Sequence, residues 1–161
     1  SEMCIRDRRK REQFLEGTRL AMRLYGFPKP VIAAANGSSV ALGAFLLLTA
    51  DYRIGIHGAF RIGINEVAIG MSLPPFALML AQSRISGQFL TNAVISATLY
   101  NPQEAVAVGF LDEVTEQRDL LSRSIKKAET LAQLDVDTFA RVKLDIRGAK
   151  IRNILDKLPN N

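Results

Sequence analysis

The chain has 161 residues, which is enough for one ordinary domain and too few for two. Its hydrophobic content of 48% and charged content of 23% are typical of a globular protein and exclude a disordered one. The longest largely apolar run, residues 40–50, is far shorter than the roughly 20 residues of a membrane span, so we expect no transmembrane helix.

The net charge of +5 is concentrated at the start of the chain, because residues 1–11 hold five basic and two acidic side chains. Elsewhere the charges alternate in sign, which is not the pattern of a nucleic-acid-binding surface, so we expect no nucleic-acid partner. Residues 1–8 fit neither the period of a helix nor that of a strand. We expect them to be a non-native read-through segment, with the natural chain beginning upstream. The single Cys4 excludes an internal disulfide and a cysteine-based metal cluster.

The first elements are predicted from spacing. Residues 12–25 place apolar side chains at helical intervals, and residues 31–35 form a short apolar run closed by Asn36-Gly37, which is typical of a buried strand and a tight turn. One of the two following serines is expected to cap a helix over residues 40–50. That helix is apolar on every side and should be buried.

Further along the chain the same alternation continues and then stops. The predicted strands are residues 52–56, 60–62 and 111–114, and the predicted helices are one from Pro74-Pro75, two short ones at 87–95 and 102–108, and long ones towards the C-terminus. Strands alternating with helices, followed by helices only, indicate an α/β domain with a helical C-terminal extension.

The turn Asn36-Gly37-Ser38-Ser39 is the first candidate site. A strand, a tight turn and a helix leave unpaired backbone N–H groups at the helix start, with the helix dipole behind them. Such a helix end can bind an anion or stabilise charge that develops on a carbonyl oxygen. The alternative is an ordinary connection between a strand and a helix in which a serine caps the helix, because such a connection has the same sequence features.

Glu66 is the second candidate, because it is the one carboxylate in residues 62–70, an otherwise apolar run that contains two glycines. Burial disfavours the charged form of a carboxyl group and so suits it to general acid/base catalysis near neutral pH. The alternative is a glutamate that faces solvent at a strand end, or one that accepts a hydrogen bond from a backbone N–H.

Other candidates are weaker. Ser38 or Ser39 with His57 would make a nucleophile and a base, but the second glycine of a nucleophile elbow is missing and His57 lies in a predicted surface turn. No spacing of side chains indicates a metal site or a phosphate loop. The basic residues near the C-terminus are expected to form a solvated helix face, with binding of a cofactor's phosphates as the alternative; they are Lys143, Arg147, Lys150 and Arg152.

Several stretches together resemble the crotonase (enoyl-CoA hydratase/isomerase) superfamily. They are KPVIAAANG at 29–37, ADYRI at 50–54, FRIGINEVAIG at 60–70, NPQEA at 101–105 and GFLDEV at 109–114. The resemblance implies an α/β fold with a ClpP/crotonase-like ββα spiral core, incomplete at the N-terminus, and a helical C-terminal extension. We expect residues 9–115 to be the partial core and residues 116–161 the C-terminal helical region.

The resemblance also implies where an acyl-CoA thioester binds. The backbone N–H groups of Leu42 and Gly43 would form one side of an oxyanion hole, and the other donor would come from a loop outside these residues. Ala41, Phe45 and Asn65 would line the substrate pocket.

Hydratases of the superfamily use two glutamates, and the corresponding positions here are Phe45 and Glu66. Adding water is easier with two carboxylates, whereas moving a double bond needs one that removes a proton and returns it. Residues 52–54 and 64–66 also resemble the mitochondrial-type Δ3,Δ2-enoyl-CoA isomerases, which work with a single glutamate. We therefore expect an isomerase with Glu66 as catalytic residue. The alternatives are a hydratase or another crotonase reaction that uses a group outside this chain, and an inactive acyl-CoA- or partner-binding protein.

The resemblance implies an acyl-CoA partner, a substrate carried as a coenzyme A thioester, no bound cofactor or metal, and a homotrimer or hexamer at full length. We expect a cytoplasmic location and no activity from this chain alone. An apolar stripe near the C-terminus would pack either on a neighbouring subunit or on the chain's own core; its members are Ile151, Ile154, Leu155 and Leu158.

Overall fold

A computed structural model describes the backbone of residues 2–159 and the side chains of residues 12–159. This part of the chain forms six α-helices and five short β-strands. In chain order they are α1 (Glu2–Tyr25), β1 (Ile32–Ala35), β2 (Ser39–Val40), α2 (Leu42–Thr49), β3 (Tyr52–Ile56), β4 (Ile62–Gly63), α3 (Pro75–Arg84), α4 (Pro102–Val108), β5 (Glu113–Thr115), α5 (Leu120–Ala132) and α6 (Val136–Leu155). Helix α1 extends across residues 2–8, and the prediction that these are non-native stays a prediction.

The strands form two small parallel sheets. In the first, β3 lies between β1 and β5, with Ile32 opposite Tyr52 and Ile54 opposite Glu113. In the second, β2 pairs with β4. The helices after β5 follow one another without an intervening strand, so the predicted α/β order with a helical C-terminal part is confirmed.

The segment predicted as one capped helix over residues 40–50 is different. Ser39 belongs to β2, the N-cap position of α2 is occupied by Ala41, and no side chain caps this helix. The Ser38 hydroxyl instead accepts a hydrogen bond from the Arg61 N–H at 3.0 Å. Strand pairing therefore takes the serines away from the capping role, and that prediction was wrong.

The remaining elements agree with the sequence, with small shifts. Helix α4 has the predicted bounds, because Asn101 and Glu104 form a reciprocal capping box and Gly109 ends the helix with a φ of 104°. Residues 87–95 are not one helix but a 3₁₀ turn followed by a short π-helix. The strands predicted at 60–62 and 111–114 begin two residues later.

One continuous core joins the helices to the sheets. Leu48 of α2, Leu80 of α3 and Phe110 are fully buried in it, and Ile154 of α6 packs into the same core. Ile151 also packs there, whereas Leu155 is exposed. Part of the C-terminal stripe thus covers the chain's own core. Within residues 2–159, no helix combines the length and hydropathy needed to cross a membrane.

The predicted solvated basic face of α6 is wrong for two of its four residues, because Lys143 and Arg147 are buried. Both bind the largely buried carboxylate of Asp51, the lysine Nζ at 2.6 Å and the arginine Nη1 at 2.9 Å. Asp51 also accepts a hydrogen bond from the Val31 N–H at 2.8 Å. A buried charge must be paired and hydrogen-bonded, and the Asp51 carboxylate is the ion-pair partner of two buried cations at once.

Asp51→Asn should lower the free energy of unfolding by about 3–5 kcal/mol, because it leaves two buried cations without a carboxylate. Chemical denaturation measures this directly. Asp119→Asn is the matched control, since Asp119 faces Arg118 at 3.8 Å with both side chains largely exposed. We expect that control to stay within about 0.5 kcal/mol of the unaltered chain. Equal effects of the two substitutions would contradict the role given to Asp51.

Candidate active site

The pairing of β2 with β4 brings two distant parts of the chain together. Ser39 lies opposite Ile62, Val40 lies opposite Gly63, and the Ala41 N–H donates to the Gly63 carbonyl at 3.2 Å. In a parallel pair the carboxyl ends of both strands lie at the same edge. The start of α2 follows one strand and Glu66 follows the other, so both emerge at this edge.

Gly63 makes this arrangement possible by its lack of a side chain. A Cβ at this position would lie 2.9 Å from the Thr98 carbonyl oxygen and 3.0 Å from a methyl carbon of Leu99. Any other residue would push the segment around residue 98 away from β4. The glycine therefore fixes how β4, and with it Glu66, sits in the fold.

Glu66 is held by its backbone while part of its carboxylate stays unpaired. Its carbonyl accepts hydrogen bonds from the N–H groups of Ile69 and Met71, at 3.1 and 2.9 Å, which closes a 3₁₀ turn after it. The residue is only 5% exposed, and among the described residues its Oε2 atom has no hydrogen-bond partner. A buried carboxylate oxygen without a partner is uncommon and is typical of functional sites. The alternatives of a solvent-facing glutamate or a fully bonded one do not describe it.

Glu66 lines a cavity of about 570 Å³ whose other walls are mostly apolar. Phe45 and Phe76 meet edge to face with ring centroids 5.8 Å apart, and Phe14 approaches Phe76 at 6.2 Å. Such walls suit a hydrocarbon chain, with the carboxylate as the acidic group among them. The lining residues are Gln13, Phe14, Gly17, Ala41, Leu42, Phe45, Glu66, Met71, Ser72, Leu73, Pro74 and Phe76.

The start of α2 forms another part of this cavity through Ala41 and Leu42. The first amide of the helix that bonds back is that of Phe45, which donates to the Ala41 carbonyl at 3.0 Å. The N–H groups of Leu42 and Gly43 precede it and have no intrahelical acceptor. Ala41 has a φ of 54° and a ψ of −119°, a conformation that costs a non-glycine residue roughly 1–3 kcal/mol. The positive end of a helix dipole thus lies beside the apolar cavity.

The structure brings four of the six predicted site residues into one cavity, namely Ala41, Leu42, Phe45 and Glu66. Gly43 and Asn65 do not line it, although the Oδ1 atom of Asn65 is buried without a partner among the described residues. The roles predicted for all six stay predictions.

Helix α1 and the loop before α3 add walls that the sequence did not reveal. They contribute Gln13, Phe14, Gly17, Met71, Ser72, Leu73 and Pro74, and the first turn of α3 adds Phe76. The loose helical periodicity of residues 12–25 indicated a packed helix but not the surface on which it packs. No local signal in the sequence could have joined it to Glu66.

The weaker candidates do not come together. His57 is exposed and its ring is hydrogen-bonded to Gln103, so its predicted surface position is confirmed, while the Ser38 hydroxyl is bonded to the Arg61 N–H. In the described part of the chain, no group of three or more His, Cys, Asp or Glu residues is arranged to hold a metal ion.

Comparison with known proteins gives consistent matches. The model of a family described as Enoyl-CoA hydratase/isomerase matches residues 1–155. Enoyl-CoA delta isomerase 1, mitochondrial, of Rattus norvegicus is 34% identical over 106 residues, which are 65% of this chain and 37% of that protein. The short-chain-enoyl-CoA hydratase of Clostridium acetobutylicum is 32% identical over 107 residues, which are 66% of this chain and 40% of that protein. The chain thus spans less than half the length of these two curated relatives.

The fold is matched as well. The crystal structure of an enoyl-CoA hydratase/isomerase family protein from Pseudomonas syringae is similar with a TM-score of 0.87 and 37% sequence identity. The similarity covers 91% of this chain and 64% of that chain.

Gly63→Ala should destabilise the fold by about 1–3 kcal/mol, because its methyl group would overlap the Thr98 carbonyl. Gly17→Ala is the matched control, since nothing lies within 4 Å of a Cβ at that helical position. The control should be neutral or stabilising by about 0.5–1 kcal/mol. Thermal and denaturant unfolding of both variants measure the difference, and an unperturbed Gly63→Ala variant would contradict the close approach described here.

Proposed function

Because the chain belongs to the enoyl-CoA hydratase/isomerase family, we propose that it carries the acid/base part of a site that isomerises the double bond of enoyl-CoA thioesters. Membership confirms the resemblance drawn from the sequence and the crotonase fold expected from it. Members of this family are enzymes, and family membership implies an acyl-CoA substrate.

The observation that carries the proposal is the environment of Glu66. Its carboxylate is buried in an apolar cavity and keeps one oxygen free of partners. A group in this situation is available to accept a proton from a bound acyl chain and is shielded from exchange with water. Phe45 lies in the same cavity where a two-glutamate mechanism would need a second carboxylate.

The proposed reaction needs one base and one site for negative charge. Glu66 removes a proton from C2 of a 3-enoyl thioester, and the electron pair delocalises over the former double bond and the thioester carbonyl as a dienolate. The N–H groups of Leu42 and Gly43, at the positive end of α2, stabilise the resulting charge on oxygen. Glu66 then returns the proton at C4, which leaves the double bond between C2 and C3.

A single carboxylate supports isomerisation over hydration. Hydration requires that a water molecule be activated and a carbon be protonated, which is easier with two acid/base groups. In the residues that line the described cavity, Glu66 is the one acidic group, and its neighbours there are apolar or uncharged. The similarity to the rat isomerase is consistent with this assignment.

Hydration is the second candidate, and the similarity to the Clostridium hydratase favours it. Since this chain spans less than half of that relative, a second carboxylate can be supplied by residues outside it. A third candidate is a protein that binds acyl-CoA or a partner without chemistry. The proposal also includes three further points. They are binding of coenzyme A thioesters without a further cofactor, assembly into a homotrimer or hexamer at full length, and a cytoplasmic location.

Glu66→Gln should lower kcat for conversion of 3-enoyl-CoA to 2-enoyl-CoA by about 10²–10⁴-fold, because the amide cannot carry the proton. Binding of the acyl-CoA, measured by calorimetry, should change little since the side chain keeps its shape. Glu129→Gln, which alters an exposed carboxylate on α5, is the control and should retain full activity.

The assay belongs on the longest natural protein that contains this chain, with 2-enoyl-CoA hydration measured beside isomerisation. Faster hydration than isomerisation would replace the isomerase by the hydratase. Acyl-CoA binding without either reaction, or turnover that is unaffected by Glu66→Gln, would remove Glu66 from the catalytic role.

A further inference from the structure

A second cavity of about 580 Å³ lies between α3 and α6 and shares no lining residue with the cavity around Glu66. The mechanism proposed above does not use it. Its lining residues are Tyr25, Asp51, Ser83, Arg84, Leu134, Asp135, Thr138, Phe139, Val142, Lys143, Ile146, Arg147 and Lys150.

The cations of this cavity outnumber its anions. Lys143 and Arg147 already share the carboxylate of Asp51, which also binds a backbone N–H and has little capacity left. The other acidic group is Asp135, which is exposed and accepts a hydrogen bond from the Thr138 N–H at the start of α6. Four basic side chains therefore face two carboxylates.

Among the described residues, Arg84 forms no ion pair with a carboxylate, although the charge of Asp112 attracts it. Its Nη2 donates to the Ala50 carbonyl at 2.8 Å, and its Nε is buried with no hydrogen-bond partner among the described residues. Arg53, whose charge repels that of Arg84, forms an ion pair with Asp112 at 2.8 Å. Burial, followed by repulsion from Arg53 and Arg147, lowers the pKa of Arg84 to about 10. A partly buried cation without an ion-pair partner is costly, and a bound anion would offset that cost.

A second cation of this cavity also forms no ion pair among the described residues. Lys150 lines the same cavity and its Nζ donates to the hydroxyl of Ser83, the residue before Arg84, at 2.9 Å. A planar guanidinium beside an ammonium group suits the oxygens of a carboxylate or a phosphate.

The rest of the cavity is apolar. Its apolar wall consists of Leu134, which precedes α6, and of Phe139, Val142 and Ile146 on the first half of α6, and Ile146 is 68% exposed. A compact hydrophilic ion would leave this wall in contact with water. A ligand with an apolar body would cover it and gain the free energy of burying apolar surface.

We propose that the cavity between α3 and α6 binds an amphipathic anion, with its carboxylate or phosphate head against Arg84 and Lys150 and its apolar body along Val142 and Ile146. The site is separate from the acyl-CoA site and does not depend on the activity of Glu66. Medium-chain fatty carboxylates and lipid-like phosphates share this chemistry.

The test uses decanoate and inorganic phosphate as probes, with binding to the whole chain measured by calorimetry. We expect saturable binding of decanoate that is at least tenfold tighter than that of phosphate and that weakens as salt is added. Ile146→Glu places a carboxylate at the exposed wall and should weaken decanoate binding by at least tenfold. Arg84→Gln should have a similar effect, and Ile146→Glu keeps the test valid if that variant does not fold.

Two matched controls locate the binding. Ile95→Glu makes the same change at an isoleucine that is 67% exposed outside the cavity, and Met71→Glu makes a similar change in the cavity of Glu66. Ile95→Glu should bind decanoate as the unaltered chain does. Met71→Glu should keep the decanoate binding that Ile146→Glu weakens, whatever it does to binding in the cavity of Glu66. Loss of binding in Met71→Glu with retention in Ile146→Glu would assign the decanoate to the acyl-CoA site and overturn the proposal.

Other outcomes would also overturn it. Absence of saturable decanoate binding, or phosphate binding as tight as decanoate binding, contradicts an amphipathic anion site. If sedimentation shows an oligomer that Ile146→Glu dissociates, and the dissociated chain binds no decanoate, the apolar wall is covered by a second copy of the chain instead.

Discussion

The candidate site depends on the pairing of two strands that are each only two residues long. Two hydrogen bonds flank the pairing of β2 with β4: the Ser39 N–H donates to the Arg61 carbonyl at 2.9 Å, and the Ala41 N–H donates to the Gly63 carbonyl at 3.2 Å. This short ladder sets the helix dipole of α2 and the carboxylate of Glu66 at one edge. Two strands of this length are not stable alone, so their pairing relies on the close approach at Gly63 and on the core beneath α2.

Charge pairing as well as apolar packing ties the C-terminal helix to the centre of the chain. Asp51, between α2 and β3, binds two cations of α6, and the same cations donate to the carbonyls of Lys29 and Tyr25. These carbonyls lie in the connection between α1 and β1 and at the end of α1, respectively. One carboxylate thus connects three segments that are far apart in sequence. This buried arrangement is structurally specific because each cation has a fixed partner. Removal of any one of these charged groups would leave another without its partner.

The two cavities show opposite solutions to burying a charge. In the first, Glu66 is the one carboxylate among aromatic and aliphatic walls. In the second, cations exceed carboxylates, and Arg84 keeps a hydrogen-bond donor without an acceptor. Both are local departures from the rule that buried polar groups are satisfied, and such departures concentrate where ligands bind.

Elements with local signals could be predicted from the sequence. The Asn101 capping box, Pro75 at the start of α3, the apolar α2 and the lone carboxylate of Glu66 are all visible in short windows, since propensity and capping act within one turn. Features that depend on partners far apart in sequence became visible in the folded chain. Ser39, predicted as a possible helix cap, lies in a strand. Lys143 and Arg147, predicted on a solvated basic face of α6, are buried and form ion pairs with Asp51. Strand pairing and charge pairing act between residues far apart in sequence, so no local pattern records them.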